Sequence, residues 1–197
     1  MIKPIKTLLA LTTTSIIAAI STSTMAADGT INFTGEIVAA SCTVSAGSGT
    51  SLSGAAGDQI IDVKLGKVSS NSLNGVAGSG VVAGQSVNLN VDCGKTAADL
   101  AAVKMEFDPV GGSGVDAKNP GLLRTTGTAT GVSIGIYNTA NKLLNLSSNE
   151  SIRGVLSGDA TAGYKTRLSL RAAYVANGYT VKPGSANGTL PFTLTYE

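Results

Sequence analysis

Short runs in which apolar and polar residues alternate recur along this chain, and they constrain its fold more than any other feature. In Gln85–Cys93, the residues Val87, Leu89, Val91 and Cys93 occupy every second position, and polar residues lie between them. A period of two is typical of a β-strand that has one buried face. The pattern therefore predicts β-structure rather than helices.

Further runs of this kind predict the remaining strands, and turns of glycine, asparagine and serine separate them. We predict strands at Ile60–Val68, Val103–Phe107, Val132–Tyr137, Leu143–Leu146, Tyr164–Val175 and Gly188–Tyr196. Two stretches rich in glycine and serine, 46–57 and 69–84, are predicted to be surface loops. No long helical periodicity follows the first 26 residues. The expected fold class is an all-β sandwich in one domain.

The N-terminal segment, residues 1–26, has the layout of a secretory signal peptide. Lys3 and Lys6 precede an apolar run, Leu8–Ile20, and small residues follow up to Ala26. We expect cleavage after Ala26 and export of the remaining chain. The alternative is an uncleaved membrane anchor, which is disfavoured because the apolar run is shorter than a bilayer-spanning helix requires.

The charge balance gives no indication of a nucleic-acid partner. The chain has 14 basic and 12 acidic residues, and removal of Lys3 and Lys6 leaves 12 of each. A neutral and weakly charged chain lacks the basic surface that binds DNA, RNA or anionic membranes. We therefore expect no nucleic acid among the partners of this protein.

The residue types that most catalysis requires are missing or poorly arranged. Because the chain has no histidine, neither a Ser-His-Asp triad nor an imidazole metal site can form. Carboxylate pairs such as Glu106 with Asp108 remain, although such residues more often lie on solvated strand faces and turns. The glycine cluster at 111–114 lacks the lysine and the following helix of a phosphate-binding loop. We expect no enzymatic activity, no cofactor, no bound metal and no small-molecule substrate.

The chain contains two cysteines, Cys42 and Cys93. In an exported protein, an even pair of cysteines most simply forms one structural disulfide. The alternative is a redox-active pair, but its usual CxxC spacing is absent. We predict a Cys42–Cys93 bridge.

Both ends of the mature chain alternate in the manner of strands. At the N-terminal end, Ile31, Phe33, Gly35 and Ile37 share one face, and at the other end Leu190–Tyr196 alternates up to the penultimate residue. An ordinary pair of edge or core strands in a closed sandwich is one explanation. The glycine in the first run indicates either a close approach of another backbone or a simple bulge.

In the order of its motifs, the mature chain resembles the type 1 fimbrial major-subunit family of the chaperone–usher pathway. The similar segments are Thr30–Val38, Val63–Val68, Val87–Cys93, Gly131–Asn138 and Pro191–Tyr196. Gly184, the fourteenth residue from the end, and Tyr196, the penultimate residue, also stand at hallmark positions of that family. Each motif alone is weak, whereas the ordered set is specific.

The resemblance implies an incomplete immunoglobulin-like β-sandwich that lacks its last strand and is completed by a donor strand from another chain. Residues 27–41 would form the donor-strand extension, and residues 42–197 would form the pilin domain. The donated residues would be Ile31, Phe33, Gly35 and Ile37. The acceptor edge and chaperone contact would comprise Gly184, Phe192, Leu194 and Tyr196.

The resemblance also implies a function and a set of partners. The chain would be a structural subunit of a fimbria, would polymerise with identical subunits by donor-strand exchange, and would serve cell adhesion. A periplasmic chaperone and an outer-membrane usher would handle it on the way through the periplasm to the cell surface. Two alternatives stay open: a minor adaptor or terminator subunit, and a self-contained secreted β-sandwich that binds carbohydrate.

Overall fold

The computed structural model describes residues 42–55, 59–73 and 82–197. The strands in these residues are β1 Thr43–Ala46, β2 Ser51–Ser53, β3 Ile60–Asp62, β4 Val82–Asp92, β5 Ala102–Phe107, β6 Leu123–Arg124, β7 Val132–Tyr137, β8 Ile152–Val155, β9 Ser157–Asp159, β10 Gly163–Ala176 and β11 Phe192–Tyr196. Two short helical turns accompany them, α1 (Ser70–Leu73) and a 3-10 helix at Leu146–Ser148. Within the same residues no helix is long and apolar enough to cross a membrane.

The strands form two main antiparallel sheets and a small hairpin. The larger sheet has the strand order β1-β4-β10-β7-β6, and β9 pairs with the first residues of β10. The smaller sheet has the order β11-β5-β8, and the hairpin joins β2 to β3. The predicted all-β sandwich is confirmed.

The core lies between the two sheets and is built from alternate residues of the long strands. Leu89 and Val91 of β4 are buried, and they pack in one cluster with Met105 of β5 and Leu168 of β10. Successive side chains of a strand point to opposite faces. The alternation in the sequence therefore identifies the buried face of β4 correctly.

The predicted disulfide between Cys42 and Cys93 is present. Cys42 directly precedes β1 and Cys93 directly follows β4, and the neighbouring residues Thr43 and Asp92 are partners in the β1–β4 ladder. The bridge thus ties the first described strand to its neighbour β4 in the larger sheet, across a separation of 51 residues.

The predicted strand at Ile60–Val68 is too long. Its extended part ends at Asp62, where β3 stops. Gly66 has a φ of +73°, a left-handed conformation that interrupts an extended chain. The residues after Asp62 therefore run beside the sandwich without joining either sheet as a strand.

The predicted strand at Leu143–Leu146 is wrong. Leu143 makes a single β-bridge with Tyr137, and the chain then enters the 3-10 helix. The side chain of Asn145 caps this helix by accepting a hydrogen bond from the Ser147 amide at 3.1 Å. Asparagine competes for local backbone donors in this way, and the turn is favoured over a strand.

The predicted surface loops at 46–57 and 69–84 both contain regular structure. The first includes strand β2, and the second includes helix α1 and the start of β4. The final run is also shorter than predicted, since β11 begins at Phe192 rather than at Gly188.

A buried polar cluster lies on the outer face of the larger sheet. The carboxylate of Asp116 accepts hydrogen bonds from the Ser133 hydroxyl at 2.6 Å and the Asn177 side-chain amide at 2.7 Å. Its other oxygen accepts from the backbone amides of Lys118 and Asn119, each at 2.9 Å. Burial raises the pKa of Asp116, but these four hydrogen bonds outweigh it, and the pKa lies below its ordinary value.

Candidate functional site: a groove beside the last strand

A groove of about 1040 Å³ runs beside β11. Leu190, Phe192 and Leu194 line it from the β11 side, and residues 59–66 line it from the opposite side. The remaining lining side chains are mostly apolar and come from the inner faces of both sheets: Met105, Phe107, Leu123, Ile134, Ile136, Leu170, Ala172 and Tyr174. We call this opening the β11 groove.

One wall of the β11 groove is a strand with an open edge. β11 pairs with β5, from Phe192 opposite Phe107 to Tyr196 opposite Val103. Among the described residues, no strand pairs with its other edge. Such an edge presents a row of backbone donors and acceptors that another extended chain can use.

Hydrogen bonds at both ends hold this wall in place. Before β11, the Asp108 amide donates to the Pro191 carbonyl at 2.9 Å. After it, the Glu197 amide donates to the Ala102 carbonyl at 2.9 Å, and the Glu197 carboxylate pairs with Arg153 at 3.1 Å. The open edge is therefore a fixed template rather than a frayed end.

The opposite wall is the segment 59–66, which continues from β3. Ile61 and Leu65 are partly buried and pack against the core, whereas Asp62 and Lys64 are exposed on the rim. Ile60 is also 58% exposed, an unusual position for a large aliphatic side chain next to an apolar groove. The wall thus offers apolar surface inside and polar groups outside.

The groove suits an extended chain that is apolar on one face. Its open β11 edge can pair with a backbone, and its apolar lining can receive every second side chain of the guest strand. The outward side chains of such a guest would remain in water beside Asp62, Lys64 and the exposed Thr193. The geometry is therefore that of a strand acceptor.

Two of the predicted acceptor residues, Phe192 and Leu194, line the groove. Tyr196 is on the same face of β11 and packs against the core, but it lies outside the groove lining. Burial raises the pKa of its hydroxyl. The structure therefore places Tyr196 at the end of β11, where it packs against the core of the sandwich.

Gly184, the fourth predicted acceptor residue, does not line the groove. It lies where the segment before β11 crosses the segment before β7: a Cβ at this position would be 2.6 Å from the carbonyl carbon of Thr128 and would also clash with the Ala129 amide. Ser185 continues this contact by accepting a hydrogen bond from the Ala129 amide at 3.0 Å. Glycine at 184 thus permits close backbone packing.

The residues just before β11 line the groove and are not predicted from the sequence. At Gly188, a Cβ would lie 2.9 Å from a methyl carbon of Ile134 and 3.0 Å from one of Leu123. The Tyr174 hydroxyl donates to the Ala186 carbonyl at 2.7 Å and holds this segment down. A glycine directly before the final alternating run is the one local signal that could have indicated this role.

The predicted donor residues, Ile31, Phe33, Gly35 and Ile37, lie outside the described residues, as do the predicted signal peptide and its cleavage site. Their roles stay predictions. The described part of the chain does contain the surface that such a strand would need.

An open-edged all-β sandwich with an apolar groove defines the class of this protein, and comparisons with known proteins specify it further. Residues 31–197 match the fimbrial protein family. The chain is 36% identical to long polar fimbria protein A of Salmonella typhimurium, over 93% of each chain. It is 34% identical to a probable major fimbrial subunit of Escherichia coli O157:H7, over 97% of this chain and 93% of the relative.

Similarity in structure agrees with the sequence comparison. A solved chaperone–usher pilus structure superposes with a TM-score of 0.52 at 21% identity, covering 87% of this chain and 96% of the other. The chain belongs to the fimbrial protein family, and it is a structural subunit of a fimbria.

Proposed function

We propose that subunits of this protein join by donor-strand exchange: residues 27–41 of one copy enter the β11 groove of the next. The observation that carries this proposal is the β11 groove itself. Its volume is about 1040 Å³, its lining is mainly apolar, and it lies next to an open strand edge. Strand addition at an open sheet edge is an established mode of peptide recognition, and chaperone–pilin complementation is a recognised example of it.

The sequence of the extension fits the chemistry of the groove. Ile31, Phe33 and Ile37 fall on one strand face, and Thr34 and Glu36 fall on the other. Burial of each large apolar side chain contributes roughly 1.5–3 kcal/mol, and backbone pairing along β11 adds orientation. Gly35 lets the guest backbone approach the lining closely at one point.

The open edge also explains the need for a chaperone in this proposal. An exposed edge and an apolar groove in a free subunit would pair with other chains indiscriminately. A periplasmic chaperone that occupies the groove would prevent this until an outer-membrane usher presents the next subunit. Residues 1–26 would direct the chain into the periplasm, and the assembled fimbria would display it at the cell surface for adhesion.

A peptide-capture experiment tests the proposal. The chaperone-bound subunit, with residues 27–41 removed, is incubated with a synthetic peptide of residues 28–39. We expect a stoichiometric complex that resists heating in detergent, because the peptide supplies the missing strand. The matched control is a peptide in which Ile31 exchanges places with Asn32, Phe33 with Thr34, and Ile37 with Glu36, which moves these three apolar side chains to the opposite face.

Two outcomes would contradict donor-strand exchange. One is a truncated subunit that is stable alone and ignores the peptide. The other is equal capture of the two peptides, which would show that the groove does not discriminate between strand faces. Gly35→Leu in the intact chain gives an independent check, since we expect slower polymerisation with unchanged recovery of the chaperone-bound subunit.

A further inference from the structure

A short linker limits how far apart two subunits joined by donor-strand exchange can stand. Only residues 38–41 lie between Ile37, the last donated residue, and Cys42, the first residue of the described sandwich. The five Cα–Cα steps from residue 37 to residue 42 span at most about 18 Å. The sandwich of the donor subunit must therefore stand against the acceptor, at the end of the β11 groove from which the donated strand emerges.

One end of the sandwich carries the disulfide, and we call it the Cys42 end. The loop 94–101 and the β9–β10 turn at 159–163 lie there together, since the Tyr164 amide donates to the Gly94 carbonyl at 2.8 Å. Residues 27–41 of the same chain directly precede Cys42. A neighbour that receives this extension therefore stands beyond the Cys42 end.

The other neighbour, which donates its own strand, needs the opposite end. A guest strand parallel to β11 would emerge at the Cys42 end, because β11 finishes there: the Glu197 carbonyl accepts from the Ala102 amide, next to the loop 94–101, at 3.1 Å. Two neighbouring domains would then compete for one end. An antiparallel guest emerges at the other end, and every strand ladder in the described part of the chain is antiparallel. Antiparallel entry is therefore favoured.

The end where an antiparallel guest emerges carries the loop 108–114, which we call the Val110 loop. Strand β5 leads from the Cys42 end to this loop, and its six residues span about 20 Å. The loop lies against the segment before β11, since the Ser113 amide donates to the Thr189 carbonyl at 2.9 Å. Thr189 and Pro191 line the β11 groove. The Val110 loop therefore borders the exit of the groove.

Val110 is 87% exposed, although the loop that carries it is fixed. The Asp108 carboxylate accepts from the amides of Val110 and Gly111, each at 3.1 Å. The Gly114 amide donates to the Pro109 carbonyl at 2.8 Å. Single exposed aliphatic side chains are common on protein surfaces. Val110 differs because a fixed support holds it at the groove exit, where the short linker brings a second domain close.

The Cys42 end offers a surface that suits this valine. Its loops present small, exposed side chains: Ala98, Ala101, Ala160 and Ala162. Alanine leaves room for a larger aliphatic side chain and loses no rotamer freedom when it is buried. Because the Val110 loop and the Cys42 end are different surfaces, contact between them is heterologous and can repeat from subunit to subunit along an open filament.

We propose that the Val110 loop docks against the Cys42 end of the donor subunit, a second copy of this chain, with Val110 packed among the alanines there. This contact rests on donor-strand exchange and adds to it a direct interaction between two sandwiches. It would stabilise the joint between whole subunits and contribute nothing to the binding of an isolated donor peptide.

The rate of dissociation in urea tests the proposal. Fibres of the full mature chain are compared with the same chain whose groove holds a synthetic peptide of residues 28–39 in place of the chaperone. Val110→Asp puts a charge into the contact. We expect its fibres to separate into subunits about tenfold faster than native fibres, because the joint loses the burial of one valine. Its peptide complex should dissociate at the native rate.

Ala140→Asp is the matched control, since it adds the same charge at an exposed turn outside both docking surfaces. Its fibres should dissociate at the native rate. A photo-cross-linker in the variant Val110→benzoylphenylalanine identifies the partner surface in assembled fibres by mass spectrometry. We expect cross-links to the loop 94–101 or the turn 159–163.

Four outcomes would count against the docking contact. Native-rate dissociation of Val110→Asp fibres, or cross-links only to other surfaces, would overturn it. Faster loss of the peptide from Val110→Asp would also overturn it, because the loop would then act through the groove. Failure of the native chain to capture the peptide would overturn donor-strand exchange itself, and with it the contact that rests on it.

Discussion

The β11 groove and a polar cleft beside residues 166–170 of β10, which we call the β10 cleft, both lie where a strand has no neighbour on one side among the described residues, yet their linings are opposite in character. The groove of about 1040 Å³ is lined mainly by aliphatic and aromatic residues, and the cleft of about 360 Å³ is lined mainly by polar residues, among them Thr139, Ser151 and Thr166. The backbone chemistry of an open edge is the same in both places. The side chains around it therefore decide whether an apolar strand or a polar ligand fits.

The two openings also differ in what lies across from the open strand. Opposite β11 is the segment 59–66, which forms no strand after Asp62 and leaves room for a guest. Opposite β10 is β8, whose Gly154 approaches Thr166 closely. An open edge is thus an acceptor for a strand only where the facing element stands far enough away.

The largest expected effect comes from placing a charge in the groove. Leu194→Glu puts a carboxylate on the inner face of β11, where a guest strand would bury it at high cost. We expect fibre assembly to be lost, as measured by the yield of surface fibres, and recovery of the chaperone-bound subunit to fall with it, because the chaperone is proposed to occupy the same groove.

A matched variant in the cleft sharpens this result. Thr139→Glu adds the same charge at an exposed position that lines the β10 cleft. It should leave the fibre yield unchanged. Loss of fibres in both variants would show that the two openings are not independent.

Removal of the disulfide should give the next largest effect. Cys42 lines the groove, so the double variant Cys42→Ser, Cys93→Ser loosens the groove wall as well as the fold. Cross-linking across 51 residues limits the unfolded chain, and its loss should lower the free energy of unfolding by roughly 4 kcal/mol. Urea unfolding of the peptide-complemented subunit, oxidised and reduced, measures the difference. A change below about 1 kcal/mol would contradict this account.

Lowering the pH should first affect a site away from both openings. The buried carboxylate in the described part of the chain belongs to Asp116. Its pKa in the folded state is below the ordinary value of 3.8. The charged Asp116 therefore contributes fully to the free energy of unfolding when the pH is above that ordinary pKa. This contribution is lost as the pH falls through the lowered pKa of the folded state.

The variant Asp116→Asn isolates this contribution. At neutral pH its free energy of unfolding should be lower by about 1–3 kcal/mol, because the buried donors of Ser133 and of the 118–119 turn lose their charged acceptor. The difference from the native protein should shrink as the pH falls well below 3.8. A difference that stays constant with pH would show that the carboxylate charge contributes nothing.

The smallest effect is expected at the ion pair between Arg153 and Glu197. Arg153 lines the cleft, and its partner Glu197 directly follows β11, the wall of the groove. Both side chains are about half exposed, so the ion pair contributes at most about 1 kcal/mol. Glu197→Gln should therefore leave fibre assembly almost unchanged, as followed by the rate of strand exchange at low and high salt. A large loss would mean that this pair fixes the open edge of β11.

Local sequence patterns predict the strands in which every second side chain is buried. Val87, Leu89 and Val91 alternate and are buried, and Val132–Tyr137 and Tyr164–Val175 correspond to β7 and β10 within a few residues. Phe192 and Leu194, whose acceptor role the family resemblance implies, line the groove, and that role stays a prediction. The predictions of strands and of their buried faces hold because the period of two is a property of the strand itself.

Other features depend on neighbours that are distant in sequence. Gly184 stands at a hallmark position of the family. The reason for glycine there is its close contact with Thr128, 56 residues earlier in the chain. Nothing in the run at Ile60–Val68 indicates that it leaves the sheet after three residues and becomes the second wall of the groove.

By itself, the sequence determined the all-β class, the disulfide pair, the buried faces of the long strands and the family to which the chain belongs. Each of these follows from local periodicity or from motifs in a fixed order. Only the tertiary structure decided which strand edges stay open, what faces them and which side chains line the resulting spaces. Sheet order and strand separation depend on pairing between residues that are far apart in the chain, and no local pattern contains that information.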